Sequence, residues 1–155
     1  MSIRQIRHIP FSLLVLGSAT AAHAAPASVN GQWVTQDKDA VVSIGQCGST
    51  ICGKLSQYLV TPPGGAGQKD VNNPNKALRD RKLLGTAFLT GFKADGQQWR
   101  GTIYDPKTGK TYRSVMYKGK SGNLIVKGCI GPFASHKLGH RDNQFRSFHP
   151  LHSTR

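Results

Sequence analysis

The stretch "QWRGTIYDPKTGKTYRSVMYK", residues 98–118, decides the fold. Two runs rich in β-branched and aromatic residues flank "DPKTG" (105–109), where Pro sits at the corner a type I turn favours. Gly109 stands where the chain must re-enter with positive φ. The stretch therefore reads as strand, turn, strand. The same grammar repeats outward in both directions. Upstream lie "GQWVT" (31–35), "AVVSIGQC" (40–47), "ICGKLSQYLV" (51–60) and "LGTAFLTGF" (84–92), and downstream "NLIVKGCI" (123–130). In 84–92 alternation puts Leu84, Thr86, Phe88, Thr90 and Phe92 on one face, and in 123–130 it pairs Leu124 with Val126. "KADGQ" (93–97) and "KGKSGN" (118–123) supply further turns. No segment shows sustained helical periodicity.

Seven strands joined mostly by short hairpins predict an all-β antiparallel meander. Its economical closure is a small barrel, which leaves no free strand edges. A barrel of about eight strands has room for packed side chains or one small ligand. The strand count falls one short of that.

The chain opens with Arg4 and Arg7, then the apolar run "FSLLVLGSATAAHA" (11–24). A basic start, a short apolar core and small residues at a cleavage site predict a signal peptide over residues 1–24. The protein is then exported, periplasmic or secreted, and no transmembrane segment follows once the leader is removed. Residues 25–133 form one barrel domain. In an oxidising compartment Cys47 and Cys52 are disulfide candidates. A straight strand would hold their Cα atoms about 17 Å apart, against the roughly 4.4–6.8 Å a disulfide needs. The residues between them must turn, which places the cysteines on the two arms of a tight hairpin. Two cysteines make only half a zinc site, so no metal is expected. Cys129 is left over.

Of the 21 Lys and Arg, two lie in the leader, so 19 face 7 acids in the mature chain, a net charge of +12 with His neutral. All the acids are Asp. Such a balance favours anionic partners, such as an envelope polymer or an anionic ligand, while an exported address argues against nucleic acid. From Ala134 the text changes to "ASHKLGHRDNQFRSFHPLHSTR", a basic tail with His136, His140, His149 and His152. Gly139 and Pro150 discourage the helix that a metal reading of these histidines needs. The tail is read as disordered, which leaves an open edge on residues 123–130. Synonymous codons for 134–140, shifted by one base, also spell Cys-Gln-Ser-Gln-Thr-Trp-Thr. An out-of-frame tail is thus a second reading, and it would give Cys129 a partner five positions on.

Several motifs together resemble a family. They are Gly31-Gln32-Trp33, Cys52-Gly53-Lys54, Asp70 with Asn73-Pro74, Leu78, Arg79, Arg81 and Gly85, and then Gly101, Ile103 to Pro106, Gly109, Tyr112 and Gly128. In combination they are similar to the exported bacterial proteins called domain of unknown function 2147. The resemblance implies a small lipocalin-like barrel ending in a Thr-Trp-containing strand. This chain departs from that pattern at Ala134, which marks its C-terminus as divergent and a frameshift candidate. No reaction comes with the resemblance.

The polar stretch "DVNNPNKALRDRKLLG" (70–85) is the candidate site. Asn73-Pro74 forces a turn, and "NKALRDRK" suits one or two helical turns capped by Asn75. Arg79 and Arg81 suit bidentate contact with a carboxylate or phosphate. Spaced by two, they cannot share a helical face. Either one of them pairs with Asp70 or Asp105 and pins a lid, or one holds an anionic head group at the barrel mouth. Asp70, Asn73, Arg79, Arg81, Trp33, Trp99 and Tyr104 are therefore the ligand-binding candidates, although aromatics such as the two Trp are in a small barrel more often plain core. Asp105 suits a turn, where Asp bonds the following backbone. General acid–base or nucleophilic catalysis usually needs His or Glu, and residues 25–133 contain neither. The sequence thus points away from an enzyme, needs no cofactor, and favours a barrel that binds a small amphipathic or anionic molecule or an envelope component. The alternative is a barrel with a filled core that uses its basic surface on envelope polymers.

Overall fold

A computed structural model describes residues 24–129 and 145–151. Eight strands run β1 Gly31–Val34, β2 Ala40–Cys47, β3 Thr50–Tyr58, β4 Ala87–Asp95, β5 Gln98–Asp105, β6 Lys110–Lys118, β7 Leu124–Cys129 and β8 Phe145–Pro150. Each pairs antiparallel with its neighbour, and β8 returns to β1, so the meander closes into a barrel. The seven anticipated strands are β1 to β7. The eighth comes from within the stretch expected to lack order. β8 pairs with β7 through Leu124↔Phe148 to Lys127↔Phe145, and with β1 through Trp33↔Pro150 and Val34↔His149. The edge of β7 is thus covered rather than open. The expected leader, residues 1–24, lies outside the described residues except for Ala24, as does the alternative-frame segment at 134–140.

Alternation on β4 differs from the expected face. Leu89 and Phe92 are buried while Thr90 and Leu84 are exposed. The cause is Gly91, which takes φ +67, in the left-handed region that suits glycine. The extra residue shifts the β4–β5 register between Thr90 and Lys93, a β-bulge that turns Phe92 inward. On β7 the expected face holds, with Leu124 and Val126 both buried.

The turn between β2 and β3 is Gly48-Ser49, and Cys47 and Cys52 face each other diagonally across it with Cα atoms 5.8 Å apart. They form a disulfide. Closing so short a loop stabilises the hairpin by about 2 kcal/mol on chain-entropy grounds.

The core is not uniform along the barrel. Ile44, Ile51, Phe92, Met116, Leu124 and Val126 fill the half that carries the β2–β3, β4–β5 and β6–β7 turns. The N-terminal segment crosses this end and buries Val29 completely. Trp33 Nε1 donates to the Val29 carbonyl at 2.9 Å, and Trp99 Nε1 to that of Ala27 at 3.0 Å. Both indole N–H groups thereby find partners that an apolar core lacks. The other half carries the β1–β2 turn, the long β3–β4 connection and the β5–β6 turn.

Candidate functional site

The β3–β4 connection, residues 59–86, folds back on itself without a regular element longer than one turn. Asp70 N donates to the Arg81 carbonyl at 3.1 Å and Leu83 N to that of Gln68 at 2.9 Å, so two short stretches lie side by side with Lys69 opposite Lys82. Between them, Asn73 Oδ1 accepts from Asn75 N at 2.9 Å, which fixes the corner before Pro74. Lys76–Leu78 form a single 3₁₀ turn, and the Asn75 side chain caps it by accepting from Ala77 N at 3.0 Å. The anticipated helical piece and its cap are present, in the tighter geometry suited to short runs.

Asp70 is the hub. Its carboxylate is fully buried. Oδ2 accepts from Asn73 Nδ2 at 2.7 Å and from Arg81 Nε and Nη2 at 3.0 and 2.8 Å. Oδ1 accepts from the Tyr104 hydroxyl at 2.5 Å. The Arg81 guanidinium also lies over the Tyr104 ring, 5.7 Å from its centroid, and Phe88 stacks on that same ring with centroids 6.2 Å apart. Burial pulls the Asp70 carboxyl upward, but the bonds from Tyr104, Asn73 and Arg81, with the charge of Arg81, outweigh it. The carboxyl is therefore held below the usual carboxylate range. Burial, then the bond to Asp70 and its charge, push the Tyr104 phenol up to about 12.

These contacts settle which arginine turns inward. Arg81 pairs with Asp70, while Arg79 is exposed and its Nε donates to the Asn73 carbonyl at 2.8 Å. Asp105 is a turn residue, accepting from Lys107 N at 3.0 Å and from Thr108 Oγ1 at 2.9 Å. The two buried aspartates keep separate sets of partners. A second tie joins the connection to β5–β6, because Asn72 Nδ2 donates to the carbonyls of Pro106 and Lys107, both at 3.1 Å.

Beside this pinned connection, the barrel half left unfilled holds a cavity of about 620 Å³. Its wall is mostly apolar, including Val42, Leu55, Phe88 and Ile103, and Val60, Val71, Lys69 and Lys107 stand at its mouth. Such a volume and lining fall in the range of small-molecule sites. Of the seven ligand-binding candidates, only Tyr104 lines it. Asp70, Asn73 and Arg81 stand behind Tyr104, and Trp33 and Trp99 belong to the packed half. Sequence reasoning missed Tyr58, whose hydroxyl is buried with no hydrogen-bond partner among the described residues and which lines the cavity. Burial raises its phenol pKa. The available signal was its place at the end of the "ICGKLSQYLV" strand, where an inward polar tip needs a reason. Among the described residues, no three of His, Cys, Asp and Glu cluster as metal ligands. No helix among them is long and apolar enough to cross a membrane.

A solved structure shares this architecture. It is described as "Protein HP1028 from the human pathogen Helicobacter pylori belongs to the lipocalin family", and it superimposes with a TM-score of 0.63 at 21% identity. The match covers 81% of this chain and 84% of that one. At that identity the likeness concerns the fold, a lipocalin-like barrel. No curated protein matches the chain. Residues 31–138 match the profile of a family described as "Uncharacterized protein conserved in bacteria (DUF2147)", and the chain, carrying the motifs that pin Asp70 beneath the barrel mouth, belongs to that family.

Proposed function

We propose that the protein is an exported binder of a small amphipathic molecule, held with its apolar body in the barrel cavity. The observation that carries this reading is the cavity of about 620 Å³ in one half of a barrel whose other half is densely packed. A barrel serving only as a surface module has no need to leave that half unfilled, since close packing is the stable state of a core. The Tyr58 hydroxyl gives a bound molecule one internal polar contact. Arg81 is committed to Asp70 and Lys69 to Asp80, and Arg79 does not line the cavity, so an anionic head group would meet Lys107 at the mouth. Export is supported by the leader pattern and by the disulfide.

Titration with 1-anilinonaphthalene-8-sulfonate, an anionic amphiphile, tests the reading. Ile103→Phe fills part of the cavity and is expected to weaken binding about tenfold, while the melting temperature stays within a few degrees of wild type. Lys107→Ala is expected to weaken it about threefold, in line with one exposed charge contact. If Ile103→Phe binds the probe as wild type does, the cavity is not where the ligand sits.

A further inference from the structure

Ligand binding inside the barrel does not explain the outer surface of the β3–β4 connection. Six large apolar side chains are exposed among the described residues, and five of them, Leu59, Val60, Val71, Leu78 and Leu84, lie in this one segment. Val60 and Val71 are the most exposed, at 60% and 62%, and both also line the cavity, so they form its rim. They are not loose. Leu59 N and Val60 N donate to the Asp39 carbonyl at 2.7 and 3.0 Å, and Val71 follows directly on the buried Asp70. The fold thus holds two apolar side chains in water on a pinned scaffold, where scattered single exposures would need no account but a clustered rim does.

The charge around this rim is mostly positive, with Asp39 beside Val60 as the one exposed carboxylate among the described residues that line the cavity. Asp70 is paired with Arg81, and Asp80 with Lys69. Among the described residues, Lys76, Arg79 and Lys82 of the connection form no ion pair with a carboxylate, and neither does Lys107 of the neighbouring turn. Apolar side chains with a surplus of cations beside them match the two layers of an anionic bilayer surface, acyl boundary and head groups. We propose that this face docks on an anionic lipid surface, with Val60 and Val71 entering the acyl boundary, Lys76 and Lys82 on the head groups, and the cavity mouth turned toward the membrane. The docking stands on the rim and its charges, whatever the cavity holds.

Flotation of the full chain with vesicles tests it, using equal parts phosphatidylglycerol and phosphatidylcholine against phosphatidylcholine alone. The chain is expected to float with the anionic vesicles and to stay behind with the neutral ones. Each cation near such a surface is worth roughly fivefold in partitioning, so Lys76→Ser with Lys82→Ser should weaken it more than about tenfold. Val60→Ser with Val71→Ser should weaken it about tenfold as well, through lost apolar insertion. Lys54→Ser with Lys93→Ser removes as much charge from the barrel wall and should change it about twofold at most. Thermal melts of each variant confirm an intact fold, since every replaced side chain is exposed. The proposal is overturned if the chain fails to float with anionic vesicles, if the wall pair weakens flotation as much as the rim cations do, or if the valine pair leaves it unchanged. The vesicle-free probe titration is read in parallel. Lost flotation with intact probe binding overturns docking alone, and lost probe binding with intact flotation overturns the cavity reading alone.

Discussion

Asp70 concentrates the chemistry of the mouth in one side chain, and its replacement should show what that is worth. Asp70→Asn keeps the shape but loses the charge that Arg81, Asn73 and Tyr104 all address. A cost of about 3 kcal/mol is expected in chemical denaturation at neutral pH, as for other buried charge-assisted bonds. The pH dependence has a defined sign. With its folded pKa depressed, Asp70 contributes stability that is fully present above the ordinary carboxylate value of about 3.9 and is lost as pH falls through the lower folded value. Tyr104 is the mirror case. Its phenol is raised to about 12, so its contribution is complete below about pH 10 and is lost progressively as pH climbs through the folded value. Tyr104→Phe should therefore flatten the alkaline limb of stability against pH, and an alkaline limb identical to wild type would show that this hydroxyl carries no linkage. Tyr58→Phe should leave the free protein as stable or more so, because the hydroxyl it removes is buried without a partner among the described residues. The sequence marked Asp70, Asn73, Arg81 and Tyr104 as a group worth attention. It offered the pairing of one arginine with Asp70 or Asp105, which Arg81 and Asp70 make. It did not offer the convergence of Asn73 and Tyr104 on the same carboxylate, because the Tyr104 contact depends on where β5 ends relative to the connection, a matter of register rather than of local spacing.

At the scale of elements, the contact that matters most is between the β5–β6 turn and the connection. Gly109 takes φ +69, and a Cβ there would lie 2.0 Å from the Asn72 carbonyl oxygen. Gly109→Ala must therefore strain the turn and push the connection away at once. A loss of about 2–4 kcal/mol is expected, together with faster amide exchange in residues 68–83; unchanged exchange there would mean the turn and the connection are independent. Turn chemistry of this kind was legible, since "DPKTG" announced both the corner and the positive φ. So were the first seven strands, whose alternation and punctuation are local properties. The β4 face was misjudged because a bulge at Gly91 inverts the alternation, and a glycine in a strand signals a bulge without saying that one occurs. β8 was missed for a different reason. "FRSFHP" has no strong pattern of its own; what makes it a strand is the pair of open edges that β7 and β1 offer, a long-range term that no window of sequence contains.

For the whole molecule, those same edges make closure by β8 the step on which the barrel depends. The β2–β3 seam has eight paired positions and a disulfide. The β1–β8 seam has Trp33↔Pro150 and Val34↔His149, one further bond from Leu151 N to the Gln32 carbonyl, and a proline that has no N–H to give. Its side-chain anchor is Phe148, buried opposite Leu124, packed in the core and also lining the cavity. Phe148→Ala should therefore do two things that a distant core truncation would not. It should cost about 3–5 kcal/mol as a large-to-small core change, and it should weaken binding of the anionic probe by reshaping the cavity wall. A chain ending before Phe145 is the more severe test. It leaves β1 and β7 with unpaired N–H and C=O groups, the arrangement that recruits another chain. Sedimentation should then show self-association that the full chain lacks, and the thermal transition should broaden. Sharp melting of a monomeric shortened chain would mean that the first seven strands close the barrel on their own, and that the weak β1–β8 seam contributes little to holding the cavity in shape.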